Sequence, residues 1–143
     1  MGEPTTKTKI LVVDDEDCIR HLVQATLNRD GRHILLAVGG KEAIALFRRE
    51  RPAITILDLD MPDIDGLTVL RQIRDIRPDA TVFIFTGTDN PEAEREARKL
   101  GVTEFLQKGH ALPTIAEITA RAQGSAKPVP APSAGSSWWK LKM

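Results

Sequence analysis

The chain alternates short, almost wholly apolar runs with longer segments in which apolar residues recur at helical spacing. Runs of strand length lie at residues 9–14, 33–38, 54–58, 81–86 and 103–106. The first and fourth are nearly continuous in large apolar residues, as expected for parallel strands that are covered on both faces. Amphipathic helices are predicted at about residues 17–28, 40–50, 67–77, 91–100 and 113–123.

Several residues mark where these helices begin and end. Pro91 suits the first turn of the fourth helix, Gly101 suits the position after its end, and Pro78 stops the third helix. In the first helix, helical spacing places four residues on one apolar face: Ile19, Leu22, Val23 and Leu27. Five strands that alternate with five helices predict an α/β fold, a doubly wound parallel sheet joined by right-handed crossovers.

Length and composition favour one such domain. The chain has 143 residues, of which 41% are hydrophobic, and we expect the domain to span residues 7–123. Residues 124–143 form a Pro/Ala/Ser-rich linker that ends in WWKLKM, and this composition predicts disorder. The tail is open to three interpretations: a docking peptide, a surface anchor, or the first residues of a truncated segment.

Charge and cysteine content exclude several classes of protein. The formal net charge is zero and the pI is about 6.8, so the chain has no basic field to attract nucleic acid. No apolar stretch approaches the roughly 20 residues of a membrane span, and the polar start is unlike a signal peptide. Cys18 is the single cysteine, so no intramolecular disulfide can form, and we expect it to be a small packing residue rather than a redox centre. These features predict a cytoplasmic protein.

Charged residues lie at or just after the ends of three of these runs. Asp14 ends the first run and Asp15 follows it, Asp58 ends the third run, and Lys108 lies two residues after the fifth. Because open α/β sheets bind ligands at the carboxyl ends of their strands, we expect these side chains to share one pocket. Carboxylates bind Mg²⁺, an aspartate can accept a phosphoryl group, and the lysine would neutralise developing charge. The pattern therefore predicts a magnesium and phosphoryl site.

Each feature alone has a simpler explanation. Asp14 and Asp15 are typical of the charged first turn of a helix, Thr86 of a strand end, and Lys108 of a solvated surface. A calcium loop in DLDMPDIDG is excluded because Pro62 breaks the ligand spacing and no glutamate closes it. Taken together, four strands that end in the groups a phosphate site uses favour the functional interpretation.

Four motifs, VDDEDCIR, DLDMPDIDG, FIFTG and EFLQKG, occur in an order that resembles the receiver domain of two-component response regulators. The resemblance implies a flavodoxin-like, three-layer α/β/α fold with strand order 2-1-3-4-5. It implies that Asp58 accepts a phosphoryl group from a histidine kinase, a histidine phosphotransfer protein or a small phosphodonor. The remaining implied site residues are Asp14, Asp15, Asp58 and Asp60 for Mg²⁺, Thr86 and Lys108 for catalysis, and Thr86 and Phe105 for the switch.

By the same resemblance, the chain is a signalling switch in a phosphorelay rather than an enzyme with an external substrate. Phosphorylation would change the surface of the fourth helix, fifth strand and fifth helix. That surface would then bind a downstream protein, act on an effector domain or form a phosphorylation-dependent dimer. No direct contact with nucleic acid and no membrane span are expected.

Receiver domains usually have a proline directly after this lysine, and a cis peptide bond joins the two residues. This chain departs from that pattern, because Gly109 follows Lys108. A non-proline cis bond costs about 3 kcal/mol, so we expect a trans bond here. Phe105 stands where tyrosine is common. Asp60 and Thr88 occupy variable positions beside the pocket and would tune the lifetime of the phosphorylated state.

Two other functions remain open at this point. Asp58, Asp60, Thr86 and Lys108 are similar to the motifs of haloacid-dehalogenase-like phosphatases, in which the second aspartate is a general acid. That interpretation leaves Asp14 and Asp15 unexplained, and Glu117 is the only acidic residue after Lys108. The other alternative is a receiver-like scaffold that works without phosphorylation.

Overall fold

Five strands form one parallel sheet in the order β2-β1-β3-β4-β5, which confirms the predicted topology. The computed structural model describes residues 7–29, 31–87, 89–108 and 112–122. The strands are β1 (Thr8–Val13), β2 (Arg32–Ala37), β3 (Ile54–Leu57), β4 (Thr81–Thr86) and β5 (Glu104–Gln107). Their register aligns Val13 of β1 with Leu57 of β3, and Thr86 of β4 with Gln107 of β5. The carboxyl ends of the strands therefore lie at one edge.

Helices cover both faces of this sheet. They are α1 (Asp17–Leu27), α2 (Gly40–Glu50), α3 (Gly66–Ile76), α4 (Pro91–Lys99) and α5 (Leu112–Ala122). One apolar core joins the sheet to α2, α3 and α4 through residues such as Phe47, Leu70 and Ala97. A second core joins the opposite face to α1 and α5 through Val23 and Ile115. The arrangement is the predicted three-layer α/β/α fold.

Local signals set the helix ends close to their predicted positions. The Asp65 carboxylate accepts a hydrogen bond from Thr68 N at 3.0 Å and caps α3. Asn90 accepts from the second and third residues of α4, and Pro91 lies in the first turn. Gly101, with φ of +81°, follows α4 in the left-handed conformation that glycine adopts most easily.

The apolar face of α1 differs from the prediction. Val23 and Leu27 are buried as expected, but Leu22 is 46% exposed and Cys18 is exposed as well. Arg20 is buried instead. The prediction was wrong for Leu22 because one helical step rotates its side chain about 100° away from Val23. It was wrong for Cys18 because its position on α1 faces solvent.

Within the described ranges, no helix is both long enough and apolar enough to cross a lipid bilayer. Three of the predictions concern residues outside those ranges. They are the disorder of residues 124–143, the trans bond between Lys108 and Gly109, and the tuning role of Thr88.

Candidate functional site

The carboxyl edge of the sheet gathers charged residues from three strands. Asp14 follows β1, Asp58 follows β3 and Lys108 follows β5. The backbone N–H of Asp58 donates to Val13 O at 3.0 Å, and that of Lys108 donates to Thr86 O at 2.8 Å. These backbone bonds extend the strand pairing by one residue, so they fix where each of the two side chains leaves the sheet.

Lys108 is the cation of this cluster, and three carboxylates surround it. Its Nζ lies 2.8 Å from Asp14 Oδ2, 2.7 Å from Glu16 Oε1 and 3.1 Å from Asp58 Oδ2. Burial opposes its positive charge, but the bonds and charges of the three carboxylates outweigh burial and raise the pKa of Lys108 above its usual value of 10.5. Lys108 is therefore a permanent cation in the site.

Asp14 and Asp58 are the buried acids of the cluster, with exposed fractions of 2% and 3%. Burial is the largest effect on both and raises the pKa of each carboxyl above 3.8. The contacts with Lys108 and the N–H bonds from Glu16 and Asp60 offset only part of that rise. Two desolvated carboxylates beside one ammonium have unused capacity for a further cation.

Glu16 joins this cluster, although the sequence did not single it out. One oxygen each from Asp14, Glu16 and Asp58 lies within 4.8 Å of the others, a spacing at which a metal ion can be held. Asp15, which the sequence placed among the magnesium ligands, is exposed and is not part of that group. Of the three consecutive acids after β1, Asp14 and Glu16 therefore belong to the cluster, whereas Asp15 between them is exposed to solvent.

A buried arginine fixes the loop that carries these acids. Arg20 Nη1 donates to the backbone oxygen of Asp14 at 2.7 Å, and the guanidinium also pairs with Asp17. Asp14 Oδ1 in turn accepts from the N–H of Glu16 at 2.9 Å. The sequence signal for Arg20 is its helical spacing from the buried residues Val23 and Leu27, which makes it a charged residue on an otherwise apolar helix face.

The loop between β3 and α3 shapes the other wall. Asp60 N donates to Asp58 Oδ1 at 3.1 Å. A Cβ atom on Gly66 would lie 2.5 Å from Asp58 O and from Leu59 Cα, so only glycine allows α3 to start this close to Asp58. Asp63 reaches from this loop to the start of α2, where its carboxylate accepts from Gly40 N and Lys41 N at 2.9 and 3.0 Å.

Thr86 and Phe105 lie on the neighbouring strands. Thr86 is fully buried at the end of β4, and its hydroxyl donates to Asp60 Oδ2 at 3.4 Å. Phe105 is half-buried in β5 and packs against the apolar core that includes α4. A threonine hydroxyl next to the acidic cluster and an aromatic ring next to α4 thus lie on adjacent strands.

Comparison with known proteins places this arrangement in context. The family model described as response regulator receiver domain matches residues 10–120. The chain is 35% identical over 104 residues to "Response regulator MprA" of Mycolicibacterium vanbaalenii. The matched region covers 73% of this chain and 45% of that protein. The chain is 36% identical over 107 residues to "Probable transcriptional regulatory protein TcrX" of Mycobacterium tuberculosis, covering 75% and 44%. The chain thus spans about half the length of these relatives.

Solved structures show the same fold. The receiver domain of AraT from Geobacillus stearothermophilus matches with a TM-score of 0.74 and 29% identity, covering 81% of this chain and 92% of that one. Chemotaxis protein CheY4 of Vibrio cholerae matches with a TM-score of 0.73 and 28% identity, covering 81% and 98%. A CheY-like receiver domain protein from Methanospirillum hungatei has a TM-score of 0.77 at 22% identity, covering 82% and 95%, and supports the fold alone.

Proposed function

Because this chain belongs to the response regulator receiver domain family, we propose that it is a two-component signalling switch whose phosphoacceptor is Asp58. The observation that carries the proposal is the contact of Lys108 Nζ with Asp58 Oδ2 at 3.1 Å, beside the buried Asp14. A buried carboxylate that is paired with a fixed cation has both the nucleophilic oxygen and the charge that phosphoryl transfer needs.

In the proposed transfer, an oxygen of Asp58 attacks the phosphorus of a phosphohistidine on a histidine kinase or a histidine phosphotransfer protein. The new P–O bond forms as the P–N bond breaks, and the bonding electron pair returns to the imidazole nitrogen. Lys108 stabilises the charge on the phosphoryl oxygens. In this role the chain promotes only its own phosphorylation and dephosphorylation.

The acidic cluster fits a magnesium ion. Asp14 Oδ2 is buried, and no described residue gives it a hydrogen bond, because its 2.8 Å contact with Lys108 lacks hydrogen-bond geometry. Magnesium binds one or two carboxylates and completes its shell with water and phosphate oxygens. We propose that Asp14 and Asp58 hold Mg²⁺, with Asp15 and Asp60 assisting as the family pattern implies. The ion would supply positive charge between the carboxylates and the phosphoryl group.

Thr86 and Phe105 would convert phosphorylation into a change of surface. The Thr86 hydroxyl, which now donates to Asp60, would turn to a phosphoryl oxygen, and the space it leaves would admit the Phe105 ring. Phe105 packs against the core that includes α4, so its movement would alter the surface of α4, β5 and α5. A downstream protein, an effector domain or a second copy of the chain would recognise that surface.

Labelling with acetyl phosphate tests the proposal. We expect Mg²⁺-dependent addition of one phosphoryl group, seen by intact-protein mass spectrometry, and its loss in Asp58→Asn. Asp75→Asn is the matched control, because it removes an exposed carboxylate from the C-terminal half of α3. Labelling that survives in Asp58→Asn would contradict the assignment of the phosphoacceptor.

Two measurements address the alternatives. A phosphatase would turn over a generic phosphate monoester steadily, whereas the proposed switch would release no phosphate from one. A scaffold that works without phosphorylation would not be labelled. Comparing phosphate release from wild type and Asp60→Asn would show whether Asp60 tunes the lifetime, and equal rates would eliminate that role.

A further inference from the structure

Three carboxylates already crowd the ammonium group of Lys108. Glu16 Oε1 and Asp58 Oδ2 accept hydrogen bonds from Nζ at 2.7 and 3.1 Å, and Asp14 Oδ2 lies 2.8 Å from Nζ as an ion pair. A phosphoryl oxygen that approaches Nζ therefore has little room unless one of these carboxylates withdraws. The arrangement of the cluster indicates which one does.

Asp14 is held in place by its surroundings. It is 2% exposed, its Oδ1 accepts from Glu16 N, and its backbone oxygen accepts from Arg20. Asp58 is the carboxylate that would carry the phosphoryl group. Glu16 differs from both, because its side chain is 57% exposed and has a longer, more flexible stem. Water can solvate the Glu16 carboxylate as soon as it leaves Lys108, so its release costs least.

We propose that Glu16 holds Lys108 in the unphosphorylated protein and gives up this contact to an incoming phosphoryl oxygen. Glu16 is then a positioning residue that sets how tightly the pocket accepts a phosphoryl group. This inference rests on the proposed phosphorylation of Asp58.

Charge gives a second reason for the exchange. A phosphoryl group brings between one and two negative charges into a cluster that already contains three carboxylates. Of the three, only the Glu16 carboxylate can swing into solvent and thereby reduce the repulsion. Competition between Glu16 and the phosphoryl group for one ammonium therefore opposes phosphorylation, and removing Glu16 should favour it.

Beryllofluoride, a mimic of the phosphoryl group, provides a test that does not depend on activity. Its binding at saturating Mg²⁺ can be followed by fluorine NMR on the full chain. We expect Glu16→Gln to bind it about two- to fivefold more tightly than wild type, the range typical of one partly exposed ion pair. Asp75→Asn is the charge-matched control and should bind as wild type does. Urea unfolding of each variant verifies that it is folded.

Glu16→Asp distinguishes the contact with Lys108 from the general repulsion between the Glu16 carboxylate and the phosphoryl group. It keeps the negative charge but shortens the side chain by one methylene. If the contact matters, Glu16→Asp will also bind more tightly than wild type. The inference is overturned if Glu16→Asp matches wild type, or if Glu16→Gln binds equally or more weakly, as a magnesium ligand would. Failure of wild type itself to bind beryllofluoride would instead contradict the proposed function, and the inference with it.

Discussion

Replacing Arg74 with methionine should loosen the end of the domain opposite the charged cluster. Arg74, near the C-terminus of α3, donates to Ala80 O and Leu100 O at 2.6 Å and to Gly101 O at 2.7 Å. One guanidinium thus ties α3 to the start of β4 and to the loop that joins α4 to β5. Methionine retains much of the apolar stem but donates no hydrogen bond.

The size of the effect follows from which of these bonds are shielded from water. The bonds to Ala80 O and Leu100 O are partly buried, whereas the bond to Gly101 O is exposed, and water can replace it. A hydrogen bond from a charged donor contributes about 1.5–3 kcal/mol when it is buried. Counting the two partly buried bonds at the low end gives a loss of about 3 kcal/mol for Arg74→Met. Arg74→Lys should lose about half of that, because an ammonium cannot span the same carbonyls.

Urea unfolding followed by far-ultraviolet circular dichroism measures this loss. With a urea m-value of about 2 kcal/mol per molar, the midpoint should fall by about 1.5 M without a change in slope. Arg77→Met is the control: Arg77 pairs with exposed Asp79 at 3.2 Å, and such a surface pair contributes at most about 1 kcal/mol.

The reasoning fails if Arg74→Met and Arg77→Met unfold at the same urea concentration. Equal midpoints would mean that water replaces the guanidinium without cost at all of its carbonyl partners. A lower slope for Arg74→Met alone would instead indicate that part of the domain unfolds separately, and the free energy could not then be read from one transition.

Three further predictions concern the core and the loops around the cluster. Thr55→Val should raise the free energy of unfolding by about 1 kcal/mol, because the buried Thr55 hydroxyl has no hydrogen-bond partner among the described residues; a loss of stability in urea unfolding would count against this. Gly66→Ala should lower the free energy of unfolding by about 2 kcal/mol and slow acetyl phosphate labelling, because the added methyl group meets the backbone of Asp58. An unchanged free energy of unfolding together with an unchanged labelling rate would show that α3 can shift. Hydrogen bonds from the N–H groups of Lys41, Gly40 and Ile64 lower the pKa of Asp63 from 3.8 to about 2, so its stabilising effect is present above pH 4 and lost as the pH falls through 2. The urea midpoints of Asp63→Asn and wild type should therefore converge between pH 4 and 2, and a constant gap over that range would contradict the assignment.

The strand ends could be predicted from the sequence because a parallel sheet delivers all its carboxyl ends to one edge. An apolar run followed by a charged residue therefore indicates both the strand and the place of that residue. Asp14, Asp58 and Lys108 lie where this rule places them, with Nζ of the lysine within 3.1 Å of both carboxylates. Helix bounds were predictable to within a few residues for a similar reason, since Asn90, Pro91 and Gly101 act through their own backbone geometry.

Contacts that depend on the rotation of an element could not be predicted in this way. Periodicity placed Leu22 in the core and overlooked Arg20, because it identifies an apolar stripe without fixing which edge of the stripe faces the sheet. Among the consecutive acids after β1, the path of the backbone turns Glu16 toward Lys108 and leaves Asp15 exposed. Asp63 caps a helix that begins more than twenty residues before it in the chain. The sequence by itself determined the fold and the edge where the charges gather, because both follow from local pattern. Only the tertiary structure decided which carboxylates contact the lysine, because that depends on how separate loops pack together.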